Sequence, residues 1–276
     1  MVRTGKSGSG TPSGGNDAST PVAGPSSGSA FSGNAHVRFS CVGCGACCRG
    51  RFVPLTQAEA LSWIRRGQSV AVLIEAFDES TWSVGAPEYA YNSLRSAPVQ
   101  CGTGTVRVII ILAANALPQC PNLQDDGRCS IYLERPLVCR IYPMEISPFI
   151  ELQPSHKDCP PDSWTQGGLI ASDQDLREQI RQSRQADRDD VQGKIALCEA
   201  LGLTVAGWKG NSLVIHQPSV DDLLAAYERL DKHDPQPSST WRIKAHDSAL
   251  REYLENKSAA LEDEASGDYI FHSTQG

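Results

Sequence analysis

Four cysteines fall within eight residues, Cys41, Cys44, Cys47 and Cys48, in the run CVGCGACC. Four more follow within a 40-residue stretch: Cys120, Cys129, Cys139 and Cys159. Thiolate sulfur is a soft ligand that suits zinc and iron–sulfur clusters, and a C-x2-C turn brings two sulfurs close enough to share one ion. Gly43 and Gly45 let that turn take positive φ and aim backbone N–H groups at the thiolates. The chemistry expected is metal or cluster ligation. The adjacent pair Cys47–Cys48 adds a constraint. Neighbouring side chains point to opposite faces of a strand and about 100° apart on a helix, so one tetrahedral ion is seldom served by both. Either one of the two is not a ligand, or the eight cysteines hold two ions or a polynuclear cluster. Eight thiolates satisfy two four-thiolate sites, of zinc or of iron–sulfur.

The other two of the ten cysteines stand apart. Cys198 lies with Val191, Ile195 and Leu201 at helical spacing and reads as a buried core thiol. Cys101 is read as structural too, and His36 and His156 as loop histidines rather than nitrogen ligands. Arg49, Arg51, Arg128, Arg135 and Arg140 sit beside cysteines in sequence and could balance thiolate charge, or could be ordinary surface residues. Pro136 suits the first turn of a short helix, which would put Cys139 near a helix N-terminus, where a thiolate is favoured. The run C-x2-C-x2-C opens like a bacterial ferredoxin. Cys48 then arrives at once and is followed by Arg49 instead of Pro, so the ferredoxin reading fails.

The 276-residue chain carries 25 basic and 32 acidic residues, for a net charge of -7. That balance argues against a nucleic-acid partner, which requires a basic face. The longest apolar run, Val108 to Ala114, is seven residues, against roughly 20 for a membrane helix. The first thirty residues are rich in Gly, Ser, Pro and Thr and lack the apolar stretch of a signal peptide. We expect no membrane partner and a cytoplasmic location, where disulfides are rare and ten cysteines point to metal or redox chemistry. Residues 161–276 hold twenty acidic against twelve basic groups. They read as a solvated helical surface, or as a docking face for a basic protein.

The elements that must position the cysteines divide the chain into a disordered tail (1–35), a cysteine-cluster metal-binding domain (36–168), a mainly helical region (169–264) and a flexible tail (265–276). Thr56 with Glu59 is a capping box opening a helix from Gln57 to Arg66, closed by Gly67. Residues 69–77 are apolar and fit strand or helix, whereas Thr105–Leu112 is β-branched and reads as a strand. Asp173–Leu201 reads as one long helix capped by Ser172, with Gly202 beyond its end. Short strands are expected at 203–205 and 212–216. A helix follows from Ser219, and a last one covers about 243–261 with Leu250, Tyr253 and Leu254 inward. The fold class expected is α+β: an irregular, metal-organised domain with little sheet, then a mainly helical C-terminal region.

CVGCGACC followed by CPNLQDDGRCSIYLERPLVCRIYP resembles the YkgJ-type CxxCxxCC family of cysteine-cluster proteins, described as chelating zinc or iron. The matching positions are Cys41, Cys44, Cys47, Cys48, Cys120, Cys129, Ile131-Tyr132, Arg135-Pro136 and Cys139-Arg140, within about residues 38–160. Two departures stand out: a spacer of 71 residues between Cys48 and Cys120, and Met144 where relatives often carry a cysteine. Cys159 would then supply that ligand from further along. The cysteine-rich part of flagellin lysine N-methylases is distantly similar. That likeness implies an alternative, an iron–sulfur enzyme using S-adenosylmethionine to methylate protein lysines, although only weak patterns such as Gly102-Thr-Gly104 are available for a nucleotide. A second alternative is a redox-responsive interaction protein.

Overall fold

The computed structural model describes residues 35–232, 240–263 and 267–273. The expected N-terminal tail therefore lies, but for its last residue, outside the described residues. In chain order the strands are β1 (Arg38–Phe39), β2 (Arg49–Leu55), β3 (Val70–Phe77), β4 (Ala97–Cys101), β5 (Gly104–Gln119), β6 (Gly168–Leu169), β7 (Val205–Trp208), β8 (Ser212–His216), β9 (Arg242–Ile243) and β10 (Tyr269–Ser273). The helices are α1 (Gln57–Arg65), α2 (Pro87–Leu94), α3 (Leu137–Ile141), α4 (Asp162–Thr165), α5 (Gln174–Asp189), α6 (Val191–Leu201), α7 (Val220–Asp231) and α8 (Ser248–Asn256).

The expectation of little sheet and a mainly helical C-terminal region is overturned. An eight-stranded mixed sheet organises the chain, and it draws strands from both sides of residue 168. At its centre β3 and β5 pair antiparallel from Val70↔Ala114 to Phe77↔Arg107. The other edge of β5 takes β4 at its start and β2 at its end. The free edge of β3 takes β8 antiparallel and β7 parallel, and β10 adds beyond β8. The physical reason for the miss is burial of both faces. Val72, Ile74, Ala76, Val108, Ile110 and Leu112 join the main core, while Ala71, Phe77, Ile109 and Ala113 are also buried. The strands expected at 105–112 and 212–216 do form, within β5 and as β8; over β3, a strand covered on both sides loses the apolar–polar alternation by which strands are read.

Local signals fared better where they rest on caps. The Thr56 capping box forms as expected, with Glu59 N donating to Thr56 Oγ1 and Thr56 N to Glu59 Oε2. Trp63, Ile64 and Ala60 of α1 then pack into the main core with Leu197 and Cys198 of α6, Leu223 of α7 and Leu254 of α8. The single helix expected over 173–201 is two, because α5 and α6 serve different cores. Leu176 and Ile180 of α5 join Ile141, Met144, Leu152 and Ile170 in a second, smaller core. The cap of α5 is Asp173, whose Oδ1 accepts from Leu176 N, not Ser172. Asp190 stands at the break between the two helices, and its Oδ2 accepts from Gln57 N at 2.7 Å. The last helix is shorter than its apolar pattern suggested, since Arg242–Ile243 is spent on pairing with β7.

Candidate metal centre

The eight clustered cysteines come from four segments, and the sheet is what gathers them. Cys48 immediately precedes β2 and Cys120 immediately follows β5. These strands are antiparallel neighbours, so the chain leaves the first cysteine group, travels through α1, β3, α2 and β4, and returns beside its starting point. Cys120 N donates to Cys48 O at 2.7 Å. The 71-residue spacer therefore costs the site nothing in proximity: it is the closed excursion that builds the main core.

Glycine contacts hold the two cysteine loops against each other. Gly45 has φ 70°, and a Cβ there would stand 2.8 Å from Leu123 Cδ1 and 3.1 Å from Gly127 O. Gly127 in turn has φ 83° and approaches the carbonyl of Gly43. Only residues without a side chain permit this approach. Cys47 and Cys48 lie in a short 3-10 turn, and Leu123 bridges to Cys129 across the return loop. Cys139 sits in α3, behind Pro136. On the far side β1 pairs with β6, Ser40 N donates to Ser163 O at 2.9 Å, and Phe39 meets Trp164 with ring centroids 5.1 Å apart. These contacts bring the chain around Cys41 to the segment bearing Cys159.

The thiols line two cavities that share a wall. One contains Cys41, Cys47, Cys48, Cys120, Cys129 and Cys139; the other contains Cys41, Cys44, Cys47, Cys139 and Cys159. All are free, and six of the eight are part-buried, Cys41 and Cys44 being exposed. The electrostatics follow that grouping. The Cys47 thiol donates to the Cys48 sulfur, which raises the Cys47 pKa and lowers that of Cys48. Burial, then the charges of Cys47 and Cys120, pushes the Cys139 thiol up to about 12. Burial also raises Cys120, and it raises Cys159, which feels Cys44, Cys47 and Cys41. The position of Cys139 near the start of a short helix does not make it a ready thiolate; burial and neighbouring sulfurs outweigh that advantage.

So crowded a set of thiols ionises together only when a cation shares the charge, as metal does on displacing the protons. The donor set fits a thiophilic metal in chemistry and number. Among the described residues no three or more His, Cys, Asp or Glu side chains already form a metal-holding group, so loading requires side-chain adjustment within the gathered loops.

The flanking residues sort clearly. Arg51, Arg128 and Arg135 line the first cavity and Arg140 the second, while Arg49 lines neither and donates to Gln119 Oε1. Arg51 acts on Cys47 and Arg135 on Cys139, each favouring the thiolate. His36 and His156 are exposed and line neither cavity. Cys101 and Cys198 are fully buried in the main core. Met144 belongs to the second core. Gly102 and Gly104 form the turn between β4 and β5 against the backbone of residues 257–260; a Cβ on Gly102 would stand 2.4 Å from Ser258 O. That turn has no room for a nucleotide.

Three residues escaped sequence reading. Tyr142 Oη lies 3.7 Å from Cys159 Sγ, and its only signal was its place in the Arg–Ile–Tyr–Pro run after Cys139. Trp63 of α1 lines the first cavity. Glu59, found only as a cap, also accepts from Leu137 N at 2.7 Å through Oε1 and so ties the start of α1 to the helix bearing Cys139. Glu59→Ala should cost about 2 kcal/mol, the loss of two bonds to a charged acceptor, and should also weaken metal retention. Chelator competition on the purified variant checks the second effect; retention equal to wild type would mean that α3 is held without Glu59.

Residues 40–160 match the family model CxxCxxCC, described as a "putative zinc- or iron-chelating domain". The match covers less than half of the 276 residues. Neither the curated proteins nor the solved structures contain a match. Among the described residues no helix is long and apolar enough to cross a membrane.

Proposed function

Given the chelating-domain match over residues 40–160, we propose that the protein binds zinc or iron through Cys41, Cys44, Cys47, Cys48, Cys120, Cys129, Cys139 and Cys159. The observation that carries this is the return of β5 alongside β2, which puts Cys120 against Cys48 and merges two cysteine groups distant in sequence around one pair of cavities. The two sites of the proposal do not follow the two groups in sequence. Cys48, Cys120, Cys129 and Cys139 form one four-thiolate set, supported by their shared lining of the first cavity and by the effects of Cys120, Cys139 and Cys129 on Cys48, although Cys47 also acts on Cys120 and Cys139. Cys41, Cys44, Cys47 and Cys159 form the other, supported by the effects of the first three on Cys159. Cys47 and Cys48, though adjacent, then serve different ions, which answers the constraint their adjacency imposes.

When bound, zinc would supply structural cross-links, and iron–sulfur clusters would add one-electron chemistry. The chain's own part is to hold the thiols together, balance their charge with Arg51 and Arg135, and bury Cys139. The free state of all ten cysteines supports work in a reducing, cytoplasmic setting.

The test is metal and acid-labile sulfide content of anaerobically purified protein, with its visible spectrum. Two zinc ions per chain without colour, or iron with sulfide and a brown chromophore, are the outcomes expected of the two metals. Protein free of metal under these conditions, and unable to take up zinc or ferrous iron, overturns the proposal.

A further inference from the structure

The larger cavity at the cysteines measures about 640 Å³. One or two metal ions need far less, and small-molecule sites span roughly 300–1,000 Å³. Away from the sulfurs, Pro54, Trp63, Ile131 and Val138 give it an apolar lining. Trp63 is 4% exposed, and among the described residues its Nε1 meets no hydrogen-bond acceptor.

Charge is distributed unevenly around the same space. Arg51, Arg128, Arg135 and Lys157 line it, against the single lining carboxylate of Glu145. Two of these cations are engaged, Arg51 with Asp158 at 2.5 Å and Lys157 with Glu145. Arg128 is exposed and stands 3.8 Å from Asp126. Arg135 stacks 3.7 Å over the Tyr132 ring and donates Nε to Tyr132 O at 2.9 Å. That leaves its two terminal nitrogens without a carboxylate partner among the described residues.

The geometry points to an organic-ligand site beside the thiols: the cavity takes a small amphipathic anion, its apolar body against Trp63, Pro54, Ile131 and Val138 and its carboxylate on Arg135. The site rests on the chelation reading in one respect, that metal fills only the cysteine wall. Thiolates carrying metal would use part of the local positive charge, including that of Arg51, which acts on Cys47. Arg135 acts on Cys139 as well, so a bound carboxylate and the thiolates share one cation. An apolar pocket with one oriented cation selects an anionic head over a neutral one of the same length, because the guanidinium offers two parallel N–H donors.

The experiment is calorimetric titration of the full-length protein with octanoate and, separately, with 1-octanol, with the metal content of every sample measured. Saturable binding of octanoate, at least about tenfold tighter than of octanol, is expected. Arg135→Gln should remove that preference, and Ile131→Trp, which fills the cavity from the apolar side, should abolish binding of both. Metal-replete protein that binds neither compound, or binds both equally, overturns the ligand site and leaves chelation standing. Octanoate binding by protein that cannot hold metal would overturn chelation and leave the ligand site standing. Arg135→Gln keeps the test decisive if the larger substitution at 131 prevents folding.

Discussion

Cys129→Ser and Cys159→Ser should each lower the bound metal from about two ions per chain to about one, and the ion lost should differ. In the proposed division Cys129 goes with Cys48, Cys120 and Cys139, where the end of β5, the return loop and α3 meet. Losing that ion unties the strand ends from α3, and chelator or heat should then open this corner first. Cys159 goes, on the same proposal, with Cys41, Cys44 and Cys47, beside the β1–β6 pair. Losing that ion should leave the larger sheet intact and free Tyr142 from its sulfur neighbour. A structural zinc site contributes folding free energy directly, so each variant should also melt at lower temperature than wild type. Metal analysis by mass spectrometry, with sulfide determination, decides the matter. If either substitution releases all the metal together with sulfide, the eight thiols hold one polynuclear cluster and the two-site division is wrong. If neither changes the metal content, these two residues are not ligands.

The proposed division could not be read from the chain, although the eight cysteines it divides could. Soft thiols at C-x2-C spacing announce ligation locally, because the chemistry lives in the residue type. Which sulfur meets which depends on β2 pairing with β5 across the 71-residue spacer, and such a pairing leaves no mark at Cys48 or Cys120. The same limit applies to Glu59. Its cap was legible because Thr56 is three residues away, but its bond to Leu137 spans 78 residues. The sheet was missed for the opposite reason. Single strands were legible, since Thr105–Leu112 lies in β5 and 212–216 is β8, but β3 is buried on both faces so that its apolar run fits strand or helix, and β9 is only two residues long. The split between α5 and α6 follows from the two separate cores they serve, and its local signal is weak: Asp189, Val191 and Gly193 around Asp190 are poor helix formers, but none of them breaks a helix outright.

The second large effect expected is at Asp187 of α5, which lines neither of the cysteine cavities. Its carboxylate accepts from Arg95 Nε at 2.5 Å and from Lys194 Nζ at 2.7 Å, and so joins α2, α5 and α6. Lys194 is nearly buried, with its side chain 5% exposed, and Asp187 and Arg95 are 18% and 16% exposed. Burial alone would raise the Asp187 pKa, but the Arg95 and Lys194 cations outweigh it and hold the carboxyl below its ordinary value. Removing the shared anion leaves two cations facing each other with little water, so Asp187→Asn should cost about 3–5 kcal/mol. The sign with pH follows from the depressed folded value. The contribution is complete above the unfolded carboxyl's pKa of roughly 3.9 and is lost as pH falls through the folded value. Acid also strips metal from thiolates, but it does so in wild type and variant alike. The difference between their urea midpoints therefore isolates Asp187: large at pH 7, and shrinking as the pH drops below about 4. A difference under about 1 kcal/mol at pH 7 would put this triad among surface ion pairs and leave the joint between α5 and α6 to the hydrophobic cores on either side.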